Sequence, residues 1–324
     1  TEQSVKIYQS MVDALAGNQW DGDRDNWPES VQQDDWSRVT TDHRQCTGRR
    51  CSNVSACSFL KSRESLGSVD CVVANHDLVL ADLALGGGAI LSDPADTIYI
   101  FDEGHHLPDK ALNHFAYHSR IQSTTKWLDQ CNKQLGPLLG QISGAGNVDR
   151  FGEQLPAILM ECKRYQELVW PLLQVLADEI KPDERTLRYR FEQGIVPANI
   201  QTLAVELHRS FDRLADLLDK MTSEINEAME DSFCSVPKAD LENSYPLVGS
   251  WQARAAANQA LWQSYASPDS GQSVPTARWF TVVESGGYLD FELCSSPILA
   301  AGTLQNSLWK HCFGAVVTSA TLTA

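Results

Sequence analysis

Residues 98–109 read "IYIFDEGHHLPD". Four apolar residues run straight into two adjacent carboxylates, a glycine and two adjacent histidines. A short continuous apolar run has the composition of a strand covered on both faces, as in a parallel sheet. In open α/β sheets, ligands bind beyond the carboxyl ends of the strands. The stretch therefore predicts an α/β fold with a parallel sheet, and it puts Asp102 and Glu103 at the edge where a site would form.

Phosphoryl transfer requires one carboxylate to hold Mg²⁺ and a second group to orient or deprotonate the attacking water. Asp102 suits the first task and Glu103 the second. Gly104 allows a tight turn, after which His105 can hydrogen-bond a neighbouring segment. The pattern is that of a Walker B, DEAH-type box; without its context, an Asp-Glu pair would read as a solvated strand end. A rival reading takes Asp102, Glu103, His105 and His106 as ligands of a hydrolytic metal centre, although their spacing is not that of an HExxH helix.

Working outward, the 324 residues are 43% hydrophobic, enough for a sizeable core and two or three structural units. A formal charge of −16 argues against a protein that coats nucleic acid by bulk electrostatics, while leaving room for a local basic groove. The nine cysteines are an odd count. No leading signal segment and no apolar run of about 18 residues are present. A reducing cytoplasm and no membrane are expected. The chain starts at Thr1 and stops just after the apolar run of "AVVTSATLTA", as a piece of a longer protein would.

Charge is unevenly distributed. Residues 1–36 carry eight carboxylates against two cations, and the tryptophans among them (Trp20, Trp27, Trp36) read as core or cover rather than a stacking surface. Residues 41–64 reverse the sign, with five cations against two carboxylates, and hold "CTGRRCSNVSAC". Structural zinc ligands usually pair at two to four residues, whereas the longer, uneven spacing of Cys46, Cys51 and Cys57 is compatible with iron–sulfur ligation by four thiolates. The fourth ligand is open: Cys71, His43 or a residue outside the chain. Cys71 lies within Val69–Ala74, which reads as a second doubly covered strand, making its thiol a small core hydrophobe.

A helical pattern follows that run, and "ALGGGAIL" at 84–91 reads as a loop before a strand, since no Lys-Ser/Thr follows the glycines. Helical periodicity dominates residues 121–265. Leu203, Leu207, Phe211, Leu214, Leu218, Met221 and Ile225 recur at steps of three and four, one stripe of an amphipathic helix. From Arg278 the texture is strand-like again, so a helical insertion sits between two groups of strands.

The cysteine stretch, "VVANHDLVLAD", "DEGHH" and "VVTSATL", in that order, resemble the DinG family of superfamily 2 DNA helicases, relatives of the XPD-type iron–sulfur helicases. The resemblance implies a partial RecA-like motor domain with a parallel sheet, interrupted by an iron–sulfur insertion (1–66) and a mainly helical Arch insertion (119–275). Motor core would occupy 67–118 and resume at 276–324. It further implies that Cys46, Cys51 and Cys57 supply three of the four ligands of a 4Fe-4S cluster. Asp102 would bind Mg²⁺, Glu103 would act as catalytic base and His105 would couple nucleotide to DNA. Thr318, Ser319, Ala320 and Thr321 match motif III, which links hydrolysis to strand separation, and Asn75 and His76 match an Asn-His pair of the family. No GxxxxGK[ST] loop occurs in the chain.

The implied activity is ATP-driven 5′ to 3′ unwinding of forks, displacement loops or DNA–RNA hybrids in bacterial DNA repair and the SOS response. Single-stranded DNA would meet cations at its phosphates and aromatics at its bases. Arg49, Arg50, Lys61, Arg63 and Phe59 are the candidates beside the cysteines. Two other classes compete with the motor: a metal-containing single-stranded DNA-binding module in which the box is structural, and the metal-dependent hydrolase already described.

Overall fold

A computed structural model describes residues 2–36, 39–41, 44–180, 187–268, 276–285 and 288–321. Two compact units divide the chain, Thr1–Asp70 and Cys71–Ala324.

In the first unit, α1 (Glu2–Ala16), α2 (Gln33–Trp36) and α3 (Ser58–Leu66) are joined by turns and short 3₁₀ segments. Its apolar centre is aromatic: the Trp20 ring lies edge-on to Trp27 at 4.8 Å and to Trp36 at 6.2 Å. The Arg24 guanidinium lies 5.4 Å from the centre of the Trp36 ring. Trp36 is buried, so these indoles serve as core and cover, as the sequence suggests.

The second unit is a mixed α/β structure of mainly helical content. It opens with α4 (His76–Ala84), β1 (Ile98–Phe101), α5 (Leu107–His114) and β2 (Tyr117–Arg120). The helices α6 (Ile121–Ile142), α7 (Val148–Gly152) and α8 (Leu155–Ala177) follow. Next come β3 (Arg188–Arg190) and two long helices, α9 (Ala198–Glu230) and α10 (Lys238–Ala266). The hairpin β4 (Thr276–Ser285) and β5 (Tyr288–Pro297), then α11 (Ala300–Leu304) and β6 (Gly314–Val317), complete it.

Two sheets result. β1 and β6 pair in parallel, Ile98 opposite Gly314 through Phe101 opposite Val317. A four-stranded antiparallel sheet has the order β2-β5-β4-β3. The apolar stripe of α9 is buried from Leu207 to Ile225 and shares one core with α6, α8, α10 and the inner face of the antiparallel sheet. A smaller core gathers Leu80, Leu83, Tyr99, Phe101, Leu107 and Leu304 beneath β1. Among the described residues, no helix is long and apolar enough to cross a membrane.

Three expectations are corrected. Val69–Ala74 forms no strand: it is unpaired, with Val73 96% exposed and the Cys71 thiol exposed rather than in a core. Apolar β-branched residues supply the propensity for a strand, but a strand also needs a neighbour to take its backbone groups, and no described segment pairs with this one. Strand β1 is covered on one face only, because Ile98 and Ile100 are 60% and 71% exposed while Tyr99 and Phe101 are buried. Residues 276–297 do not rejoin the β1 sheet; they pair with β2 and β3 beside the helices, and β6 alone returns to β1.

Candidate functional site

The site is built where β1 ends. The Thr318 amide donates to the Phe101 carbonyl at 2.8 Å, and the Gly104 amide donates to the Thr318 carbonyl at 2.8 Å. These two bonds extend the β1–β6 ladder past both strand ends and clamp the turn 102–104 against residues 317–319. Gly104 suits a close approach here: a Cβ at this position would run into the Val317 side chain.

Glu103 adopts a left-handed backbone, φ +50° and ψ +41°. For a residue with a Cβ, that conformation costs of order 1–2 kcal/mol. A strained non-glycine residue at a strand terminus marks a place where geometry is imposed by its surroundings.

Side chains tie the two strand exits together. Thr318 Oγ1 donates to Asp102 Oδ1 at 3.0 Å, and the Glu103 amide donates to the same carboxylate oxygen at 3.0 Å. Ser319 Oγ donates to Glu103 Oε2 at 3.3 Å and lies 2.7 Å from His105 Nδ1. His105 Nδ1 is 3.2 Å from Glu103 Oε2, closing a triangle of carboxylate, imidazole and hydroxyl. The Thr321 amide reaches back to Ser319 Oγ at 3.3 Å. Ala320 makes the intervening exposed turn without a polar side chain. The His106 ring leans on His105, with centroids 3.9 Å apart, and both are exposed.

Asp102 accepts a hydroxyl and an amide on one oxygen and Glu103 accepts one hydroxyl, so each carboxylate keeps lone pairs free for a further donor or cation. Asp102 and Glu103 are both exposed in this way. A four-ligand metal centre is a different matter: among the described residues, no three His, Cys, Asp or Glu side chains are gathered so as to hold a metal ion. The reading of Asp102, Glu103, His105 and His106 as a hydrolytic metal centre is therefore unsupported.

Support for β1 comes from α4. Asn75 caps this helix, its side-chain oxygen accepting the Leu78 amide at 2.8 Å, a bond that satisfies one of the orphan donors of a helix start. The His76 ring lies 5.8 Å from Phe101, and Lys110 of α5 donates to Asp77 at 2.5 Å. One residue escapes the sequence reading. Asp82, fully buried, accepts the amides of Gly88, Ile90 and Leu91 at 3.0, 2.5 and 3.3 Å. The glycine loop is thus an anion nest filled by the protein's own carboxylate. The available signal was the second acid of "HDLVLADLAL", Asp82, flanked by apolar residues on both sides.

In the first unit, Cys46 and Cys51 each accept a backbone amide from two residues on, Gly48 and Asn53, at 3.4 Å. Hydrogen bonds to sulfur tune a thiolate ligand, but among the described residues Cys46, Cys51 and Cys57 are not gathered so as to hold a metal ion. Cys57 ends a 3₁₀ turn and starts α3. The unit contains three thiols where a 4Fe-4S cluster takes four. His43, a candidate fourth ligand, lies outside the described residues. Arg63 lies over the exposed Phe59 ring at 5.4 Å, Arg49 stands 3.8 Å from Glu64, and Arg50 and Lys61 are exposed.

Taken together, the geometry defines an α/β protein with an acidic box at a strand end, hydrogen-bonded to the exit of the adjacent parallel strand. No protein-family model matches the chain. Curated proteins named ATP-dependent DNA helicase DinG do. The protein of Photobacterium profundum is 30% identical over 325 residues, covering 100% of this chain and 45% of the relative. That of Salmonella choleraesuis is 27% identical, covering 95% of this chain and 42% of the relative. For Escherichia coli the figures are 27%, 94% and 41%. Homologues of the DinG family thus cover the whole chain, consistent with a central portion of such a helicase. The chain spans less than half the length of these relatives.

Proposed function

We propose that this chain is the central portion of an ATP-dependent DNA helicase. The observation that carries the reading is the acid box bonded to the adjacent strand exit: Asp102 to Thr318, and Glu103 and His105 to Ser319. Asp102 holds the Mg²⁺ of Mg-ATP, and Glu103 orients water for attack on the γ-phosphorus, the bond to the β-phosphate breaking as ADP leaves. His105 and Ser319 share a hydrogen bond across the strand boundary, so a change at the carboxylate is felt in residues 318–321. That is the physical content of coupling between hydrolysis and movement.

In this reading β1, β6 and the elements beneath them belong to a RecA-like motor domain, the first unit is an iron–sulfur insertion and the helical layer is an Arch. Cys46, Cys51 and Cys57 would hold a 4Fe-4S cluster, a support for the backbone and a one-electron centre when bound. Arg49, Arg50, Lys61, Arg63 and Phe59 would meet DNA beside it. Unwinding from 5′ to 3′, on forks, displacement loops or DNA–RNA hybrids in the bacterial cytoplasm, completes the reading.

In the protein extended to its relatives' length, Glu103→Gln is expected to lower DNA-stimulated ATP turnover by about 10²–10⁴-fold while nucleotide still binds. Near-normal turnover would refute the role of Glu103. The 324-residue chain, which contains no GxxxxGK[ST] loop, is expected to show no turnover of its own; DNA-stimulated release of phosphate by it would overturn the need for that loop.

A further inference from the structure

We propose that the open face of the four-stranded sheet is a platform for single-stranded nucleic acid, with Trp279 stacking on a base and Arg188 and Arg190 meeting phosphates. In an antiparallel pair, residues directly opposite share a face. Arg188 opposes Thr281, and Arg190 opposes Trp279. Trp279 in turn opposes Cys294, and Thr281 opposes Glu292. At the far edge, Cys294 faces His118 and Glu292 faces Arg120. All of these side chains therefore stand on one surface.

The opposite surface is spent on folding. Phe280, Phe291 and Leu293 are no more than 1% exposed and belong to the helical core. On the open surface, Trp279, Thr281, Glu292 and Cys294 are half-buried and His118, Arg120 and Arg190 are exposed. The Arg188 guanidinium lies 5.7 Å from the centre of the Trp279 ring, so an indole and a cation already share one spot.

Its carboxylates are already engaged by other partners. Glu292 pairs with Arg120 at 3.0 Å. Asp290 accepts the amides of Gln122 and Ser123 at the start of α6, at 2.8 and 3.0 Å. Among the described residues, no carboxylate forms an ion pair with Arg188 or Arg190. In a chain of net charge −16, two guanidiniums flanking an indole, neither ion-paired to a carboxylate among the described residues, complement a phosphate chain with bases attached. Residues two apart on a strand are about 7 Å apart, which sets the two arginines side by side along the edge strand β3.

The choice of ligand rests on the DNA-handling reading above; the face itself does not. The test is binding of a fluorescent oligothymidylate to the 324-residue chain between 50 and 200 mM salt. The double variant Arg188→Gln, Arg190→Gln is expected to bind at least tenfold more weakly, with the log–log salt slope reduced by about 1.4, or about 0.7 for each lost phosphate contact. Equal affinity and slope in chain and variant, or no binding by the chain, would overturn the proposal. A 5-iodouracil oligonucleotide photocrosslinked to the unsubstituted chain is expected to modify the peptide holding Trp279. Crosslinks confined to residues 44–66 would overturn the platform and leave the helicase reading standing. Polyglutamate that competes as well as oligothymidylate would show a face that selects charge alone and would overturn the nucleic-acid assignment. Conversely, Glu103→Gln with normal turnover would sink the motor reading while leaving the crosslink and the slope in place.

Discussion

The two sheets of the Cys71–Ala324 unit are stabilised in opposite ways. The antiparallel sheet seats Phe280, Phe291 and Leu293 in a core continuous with four long helices. The pair β1–β6 buries Tyr99 and Phe101 on one side and leaves Ile98, Ile100 and Val316 exposed on the other. Yet the acid box hangs entirely from this thinner pair. Its arrangement depends on hydrogen bonds between two strand exits and on one close backbone approach, whereas the helical layer depends on apolar area removed from water. The acid box and the bulk of the core are housed apart.

The contrast can be broken most readily at Phe280. Its ring stacks on Tyr189 at 5.3 Å and meets Phe291 edge-on at 5.5 Å, so Phe280→Ala is expected to cost about 3–5 kcal/mol in urea denaturation. A loss below 1 kcal/mol would mean that this core is no tighter than the β1 pair. Asp82→Ala comes next. It removes the acceptor of three amides and is expected to cost about 1–3 kcal/mol, with hydrogen exchange accelerated at Gly88, Ile90 and Leu91. Unchanged exchange at those amides would show that the loop holds its shape without the carboxylate. The smallest effect is expected at Gly104→Ala, where the added methyl meets the Val317 side chain at the cost of about 1 kcal/mol, the low end of overpacking. Adding Val317→Ala should recover most of that loss; additive losses would place the strain elsewhere.

How far the sequence discloses this structure depends on whether a feature is local. The α9 stripe is legible because its partners recur along one helix, and the stripe is buried from Leu207 to Ile225. "IYIF" gives a strand for the same reason, and the Asp-Glu-Gly that follows gives the turn. Pairing is not local. Nothing in "VDCVVA" says whether a neighbouring strand exists, and Val73 is left exposed. Nothing in "RWFTVVES" says that its partners are β5 and the three residues of β3 rather than β1. The site divides in the same manner: the residue types of the box are evident in "DEGHH", but its bonds to Thr318 and Ser319 come from a strand more than two hundred residues away. Asp82 is hidden because its ligands are backbone amides, which have no letter in a sequence.

Separation along the chain also fixes when the box can form. Asp102 and Thr318 are 216 residues apart, and closing so long a loop costs about 2–3 kcal/mol more in chain entropy than closing a ten-residue turn. Two short strands cannot meet that cost early. Once α6 to α10 have packed and the β2–β5 pairing has drawn residues 117–120 to 292–295, the effective loop between β1 and β6 shrinks to residues 102–116 and 296–313. Refolding is therefore expected to be ordered in time: the fluorescence of the buried Trp262 should reach its native value before the carboxylates at the end of β1 acquire their partners.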